Sequence, residues 1–259
     1  MRITLLCLTL IFLSAESYAE VVLQCDSTNC RLDINGLIRP QDLLTFKRII
    51  GAFNREKNKI ITTEGEKWLG IGIPIVYLDS SGGDVMTALA IGDLMYENQF
   101  AAEIDVFASC SSACVYILGS SVMRFPLGRI NIHRPYSNST ETSFAQAASD
   151  FAKIERLAVS QFKRVGVSAD LWNAMMKVPP ETARPLSIEE IERFGLLGND
   201  PAYDDAMDSR LAKRLGITKQ EYLRRKVIET KCQEDEKGKY PFPQIYEYCS
   251  KRAGTWTFK

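Results

Sequence analysis

The sequence predicts an α/β protein built on a parallel sheet with crossover helices. Three observations carry this. Short apolar runs alternate with helical stripes, the order strand–helix–strand–helix–strand recurs, and small-residue turns close successive runs. Val21 to Asn35 alternates apolar and polar residues, the period of a pair of strands. Pro40 opens a helix whose apolar stripe is Leu43, Leu44, Phe46, Ile49, Ile50 and Phe53. Asn54 to Glu66 reads as a polar loop. Ile73 to Leu78 is an apolar run suited to a buried parallel strand. Ser80-Ser81-Gly82-Gly83 then turns the chain into a helix marked by Val85, Ala88, Leu89, Gly92 and Met95. Ile104 to Ala108 is the next strand, Ser109 to Ala113 the next turn, and Val115 to Leu118 the next helix. Gly128 to His133 forms a further strand, closed by Pro135.

A polar loop, Ser137 to Thr142, leads to a long amphipathic helix from Ser143 to Val165, with apolar positions from Phe144 to Phe162. Ser187-Ile188-Glu189-Glu190 is a capping box that starts a short helix ending at Gly195. Beyond Asp200 the composition turns heavily charged, with another helix opening at Thr218. The expected organisation is therefore one domain over residues 20–200, followed by a charged, mainly helical appendage over 201–259.

The chain of 259 residues is 46% hydrophobic and 25% charged, which excludes a disordered or multi-span membrane protein. Its 32 basic residues balance 32 acidic ones, so no positive field marks a nucleic-acid partner. Arg2, the apolar run Ile3 to Leu13 and the small residues before Glu20 read as a signal peptide over residues 1–19, cleaved after Ala19. The run is far shorter than the ~20 residues needed to cross a bilayer, and no later segment is long and apolar enough to insert stably. The expected location is periplasmic or secreted.

Without Cys7 of the signal, six cysteines remain, in three local pairs: Cys25/Cys30, Cys110/Cys114 and Cys232/Cys249. An even number in an oxidising compartment favours disulfides, although six cysteines allow fifteen connectivities. The competing zinc site, Cys110 and Cys114 with His133, offers three ligands at a non-standard spacing. No metal and no other cofactor is implied.

Open parallel sheets bind ligands at the carboxyl ends of their strands. Gly82-Gly83, Ser112 and His133, the chain's single histidine, all fall at such ends. Gly82 and Gly83 leave backbone N–H groups open to close approach, and Ser112 faces the same crevice with the Ala113 N–H alongside. Taken singly, a Gly-Gly turn, a small-residue helix start and a lone histidine are ordinary structural features. Together at successive strand ends, a serine, an imidazole and two backbone donors are the parts of an acyl-transfer site.

These residues resemble a known family. Leu32 to Ile38 and Tyr77 to Val85 are similar to the opening of the Clp-type serine peptidases, within the wider ClpP/crotonase superfamily. Cys110-Ser111-Ser112-Ala113-Cys114 falls where that family carries its nucleophile. Asn131-Ile132-His133-Arg134-Pro135 resembles its Ile-His-x-Pro base motif, and Pro185 to Leu196 its tail motif. The resemblance, over about residues 31 to 198, implies a ClpP/crotonase-like spiral of parallel β-α units with a protruding handle helix, here Ser143 to Val165. It implies Ser112 as nucleophile, His133 as general base, and Gly83 and Ala113 N–H groups as an oxyanion hole beside Gly82. It departs at the acid: Ala183 stands at the family's position, leaving Glu181 as the nearest carboxylate and Asp170 as a more distant one.

The leading expectation is an exported serine peptidase acting on extended peptides or unfolded protein. The alternative is a catalytically degenerate scaffold that binds peptides or partner subunits. A crotonase-type acyl-CoA enzyme fits less well, because export removes it from CoA and no basic cluster flanks the turns. The apolar positions of the long helix outnumber one buried stripe, which predicts a homo-oligomer.

Overall fold

The computed structural model describes residues 20–25, 30–64, 74–136 and 143–256. The signal peptide expected over 1–19 and the loop expected over 137–142 lie outside the described residues. The chain opens with an antiparallel pair, β1 (Glu20–Cys25) and β2 (Cys30–Ile38), whose register sets Cys25 opposite Cys30. Helix α1 (Pro40–Glu64) follows, with Asp42 in its first turn accepting the Arg39 N–H at 2.7 Å. This helix corrects the loop expected from Asn54. No glycine or proline interrupts residues 54–64, and the Asn54 amide donates to Asn98 at 2.9 Å, so the helix runs on past its apolar stripe.

Strand β3 (Ile75–Gly83) buries Val76, Leu78, Ser80 and Gly82 on one face. It continues through the four residues expected to form a turn, because β2 runs beside it as far as Ile38 opposite Gly83. Helix α2 (Val85–Glu97) is capped by Asp84, whose carboxylate accepts the Thr87 N–H at 2.8 Å. Next come β4 (Ala101–Ile104), β5 (Ser109–Ser111), α3 (Cys114–Gly119), β6 (Met123–Pro126) and β7 (Arg129–Ile132). The strand expected over Ile104 to Ala108 is instead a turn: the Ala108 N–H donates to the Asp105 carbonyl at 2.9 Å, and Phe107 is 96% exposed.

Helix α4 (Phe144–Arg164) is capped by Ser143 and followed by α5 (Asp170–Met176), β8 (Arg184–Pro185) and α6 (Ile188–Phe194). Ser187 and Glu190 form the predicted capping box on α6. Strand β9 (Gly198–Asn199) precedes α7 (Pro201–Arg214), α8 (Lys219–Asp235) and α9 (Phe242–Ala253). No described helix is long and apolar enough to cross a membrane.

The sheet runs β8-β7-β5-β3-β4-β6-β9, with β2 also on β3. Every pairing among β2 to β7 is parallel, and the antiparallel pairings are β1 with β2, β6 with β9 and β7 with β8. Strand β3 is the fork. Its first residues, Ile75 to Tyr77, pair with β4, while Ser80 further on pairs with Cys110 of β5. The sheet therefore opens at the carboxyl end of β3, between the glycines and β5.

The main core gathers side chains from β2 through α6, including Phe46, Leu78, Ile91, Tyr116 and Phe162. Helix α4 is fixed through its second half: Ala158, Gln161 and Phe162 are buried, and the Gln161 amide donates to the Leu89 carbonyl at 2.6 Å. Its start is exposed, with Phe144 91% accessible. A second small cluster holds Ile245 with Cys232 and Cys249, whose disulfide joins α8 to α9.

Candidate active site

The fork in the sheet brings three chain segments together. Gly82 and Gly83 end β3 with φ of +102° and +136°, a region L side chains rarely adopt. A Cβ on Gly83 would stand 2.1 Å from the Ile38 carbonyl oxygen. The Asp84 N–H donates to that same oxygen at 2.9 Å. Ser80 braces this end: its Oγ donates to the Gly36 carbonyl at 2.6 Å and accepts the Gly82 N–H at 3.1 Å.

Ser112 follows β5 directly and has φ +55°; Gln99 is the other described non-glycine residue with positive φ. Holding a serine there costs about 1–3 kcal/mol and needs surroundings that impose it. Three features do so. The Ser112 N–H donates to the Asn131 carbonyl at 3.0 Å. The Ser112 carbonyl accepts the Val115 N–H at 3.1 Å, starting the α3 turn. Cys110 and Cys114 are joined by a disulfide around it, with Cα atoms 5.3 Å apart and both residues fully buried. Joined sulfurs offer no thiolate, so the zinc ligand set weighed above is not available. Ser112 itself is half-buried, and Ala113 behind it is buried. Among the described residues no acceptor meets the Ala113 N–H.

His133 follows β7. The register pairs Ser111 with Asn131, so Ser112 and His133 leave the carboxyl ends of adjacent parallel strands. The imidazole is half-buried, with the Tyr136 ring 5.7 Å away. Its Nδ1 lies 2.9 Å from the Arg134 carbonyl oxygen. A carbonyl can only accept, so this bond requires the proton on Nδ1 and leaves the Nε2 lone pair free. The Arg134 N–H in turn donates to the Val178 carbonyl at 3.0 Å.

Among the described residues, neither carboxylate weighed in the sequence is hydrogen-bonded to the imidazole. Strand β8 pairs Arg184 with Ile132 at the last position of the register, and Ala183 and His133 are the next residues beyond it. Glu181 is exposed on the turn after α5, and no described hydrogen bond links it to the imidazole. Asp170 is exposed at the start of α5. The Arg184 guanidinium is instead paired with Glu190, at 2.7 and 3.1 Å, and holds that carboxyl below the usual range. Cys232 and Cys249 are bridged away from this site, and the side chains of Cys25 and Cys30 lie outside the described residues.

Asn131 was not singled out in the sequence. Its amide donates to Ser111 Oγ at 2.9 Å, across the same strand pair. An asparagine inside an apolar strand was the available signal.

No family model matches the chain, and no curated protein matches it. Among solved structures, 389 chains match. One is a serine-to-alanine mutant of the 1510-N membrane-bound stomatin-specific protease. It is 19% identical, over 64% of this chain and 75% of that one, with a TM-score of 0.46. Another is a lysine-to-alanine mutant of the 1510-N protease in complex with a substrate peptide. It is 20% identical, over 64% of this chain and 71% of that one, also with a TM-score of 0.46.

Proposed function

We propose that this protein is an exported serine peptidase that cleaves extended peptides or unfolded protein with a Ser112–His133 dyad. The observation that carries the reading is the Ser112 elbow. A serine is held at φ +55° inside a disulfide ring, with the Ala113 N–H, which meets no acceptor among the described residues, beside it and an imidazole on the neighbouring strand end. In this reading Nε2 of His133 takes the proton from Ser112 Oγ as the oxygen attacks the peptide carbonyl. The oxyanion receives the N–H groups of Gly83 and Ala113. His133 then returns the proton to the leaving amine, and a water molecule deprotonated by the same imidazole releases the acyl group. The Arg134 carbonyl, rather than a carboxylate, keeps the proton on Nδ1. The reacting unit spans residues 20–200, and 201–259 is an appendage. The exposed start of α4 is the surface through which copies of the chain assemble.

The second reading, a non-catalytic peptide-binding scaffold, draws on Ala183 standing where the resemblance implies an orienting acid. A fluorophosphonate probe separates the two. Peptidase function requires labelling of the wild type that is lost in Ser112→Ala and His133→Ala, together with hydrolysis of an unfolded substrate. Unlabelled wild type in a correctly folded, oxidised preparation leaves the scaffold.

A further inference from the structure

We propose that Asn131 is a positioning residue that holds the Ser112 elbow in register with His133. This inference rests on the dyad described above. Three facts meet at Asn131. Its carbonyl accepts the Ser112 N–H at 3.0 Å, so the backbone of the left-handed residue hangs on β7. Its amide donates to Ser111 Oγ at 2.9 Å, so the preceding residue is tied to the same strand. Asn131 and, just past β7, His133 are both half-buried on either side of the buried Ile132, as alternation along an extended chain would place them. One residue thus grips both members of the Ser111-Ser112 pair and stands two positions from the base.

The carbonyl contact would exist with any residue at this position. The amide is what asparagine adds, and a β-branched residue, the ordinary occupant of such a strand, would leave the Ser111 hydroxyl unheld. Attack geometry is sensitive to small displacements between nucleophile and base. A pair that served only to stabilise the sheet would alter melting without altering turnover. A pair that sets the elbow alters turnover while the affinity for peptide stays the same.

The experiment compares wild type, Asn131→Ala, Ser111→Ala and the double variant. It reads the fluorophosphonate labelling rate of Ser112, kcat and KM on a peptide, and amide exchange at the Ser112 N–H. Each single variant is expected to lower labelling and kcat about five- to tenfold, the weight of one hydrogen bond, with KM unchanged. The double variant is expected to be no worse than either single one, since both remove the same contact. Wild-type labelling in the single variants, a change confined to KM, or fully additive losses would each overturn the proposal. Should Asn131→Ala fail to fold, Ser111→Ala decides alone, because it removes the same bond from a half-buried hydroxyl. A wild type that does not label sinks the peptidase reading instead. Exchange then decides the clamp: faster Ser112 exchange in both variants supports it, and unchanged exchange overturns it.

Discussion

Gly82 and Ser112 are packed so closely that no side chain fits between them: a Cβ on Gly82 would stand 2.5 Å from the Ser112 Cβ and 3.0 Å from the Ala113 nitrogen. Gly82→Ala is therefore expected to push the elbow off β3 and lower fluorophosphonate labelling by about 100-fold or more. Gly216→Ala is the control. It shares the positive φ, at +68°, but a Cβ there meets nothing within 4 Å. It should lower the melting temperature through backbone strain and leave labelling unchanged. Equal labelling in both variants would show that the close approach does not matter to the site.

His133 is the chain's one imidazole, so His133→Ala should abolish turnover while the melting temperature stays that of the wild type. Ala183→Asp introduces a carboxylate just beyond the Ile132–Arg184 pair, and kcat should increase by about tenfold or more as the new acid takes over the Nδ1 proton. Glu181→Gln should change kcat less than twofold. A large loss there would make Glu181 the orienting group.

The two disulfides should separate cleanly by readout. Replacing Cys110 and Cys114 by alanine opens the ring around Ser112, costing about 2 kcal/mol of stability and most of the labelling. Replacing Cys232 and Cys249 costs about 3 kcal/mol, because the closed segment is longer, and leaves labelling intact. Chemical denaturation with parallel labelling reads both. Loss of labelling from the α8–α9 bridge alone would count against a separate role for that segment.

Phe144 is 91% exposed at the start of α4, and Leu157 further along is 37% exposed. Sedimentation should find a species heavier than a single mature chain, which is the 29.2 kDa precursor less its signal. Phe144→Glu with Leu157→Glu should dissociate it. A wild type that sediments as a monomer removes the assembly proposal.

Arg184 lowers the Glu190 carboxyl, and a depressed acid contributes stability above the ordinary carboxylate range that is lost as pH falls through its folded value. The melting temperature of wild type should therefore fall on acidification more steeply than that of Glu190→Gln. Parallel curves would mean that the pair carries no net stability. The pair ties β8 to α6, so acid should loosen the strand beside His133 first.

The alternation of apolar runs with helical stripes made β3, α2, α3, β7 and α4 legible, since each is long or buried enough to impose its period. The same pattern placed Gly82, Gly83, Ser112 and His133 at successive strand ends. Phe107 shows where that reasoning fails: its apolar neighbours suggested a strand, yet the Asp105 turn turns it to solvent. Strands β8 and β9 have two residues each and exist only through their partners' registers, which a local period cannot report. The helix beyond Asn54 was hidden because its polar residues read as a loop although nothing in them breaks a helix. The Arg134 carbonyl was hidden for a different reason: every residue carries one, so only coordinates reveal which is aimed at the imidazole.

The bridge between Cys110 and Cys114 makes the site a matter of history as well as shape. A newly made chain in a reducing compartment has two thiols in place of the ring and no staple holding Ser112 in its left-handed turn. If, as proposed, the chain is exported and Ser112 is its nucleophile, it is synthesised in a latent form and matures when those sulfurs are oxidised. Activity would then be separated in place and time from translation, sparing the unfolded proteins of the compartment in which the peptidase is made.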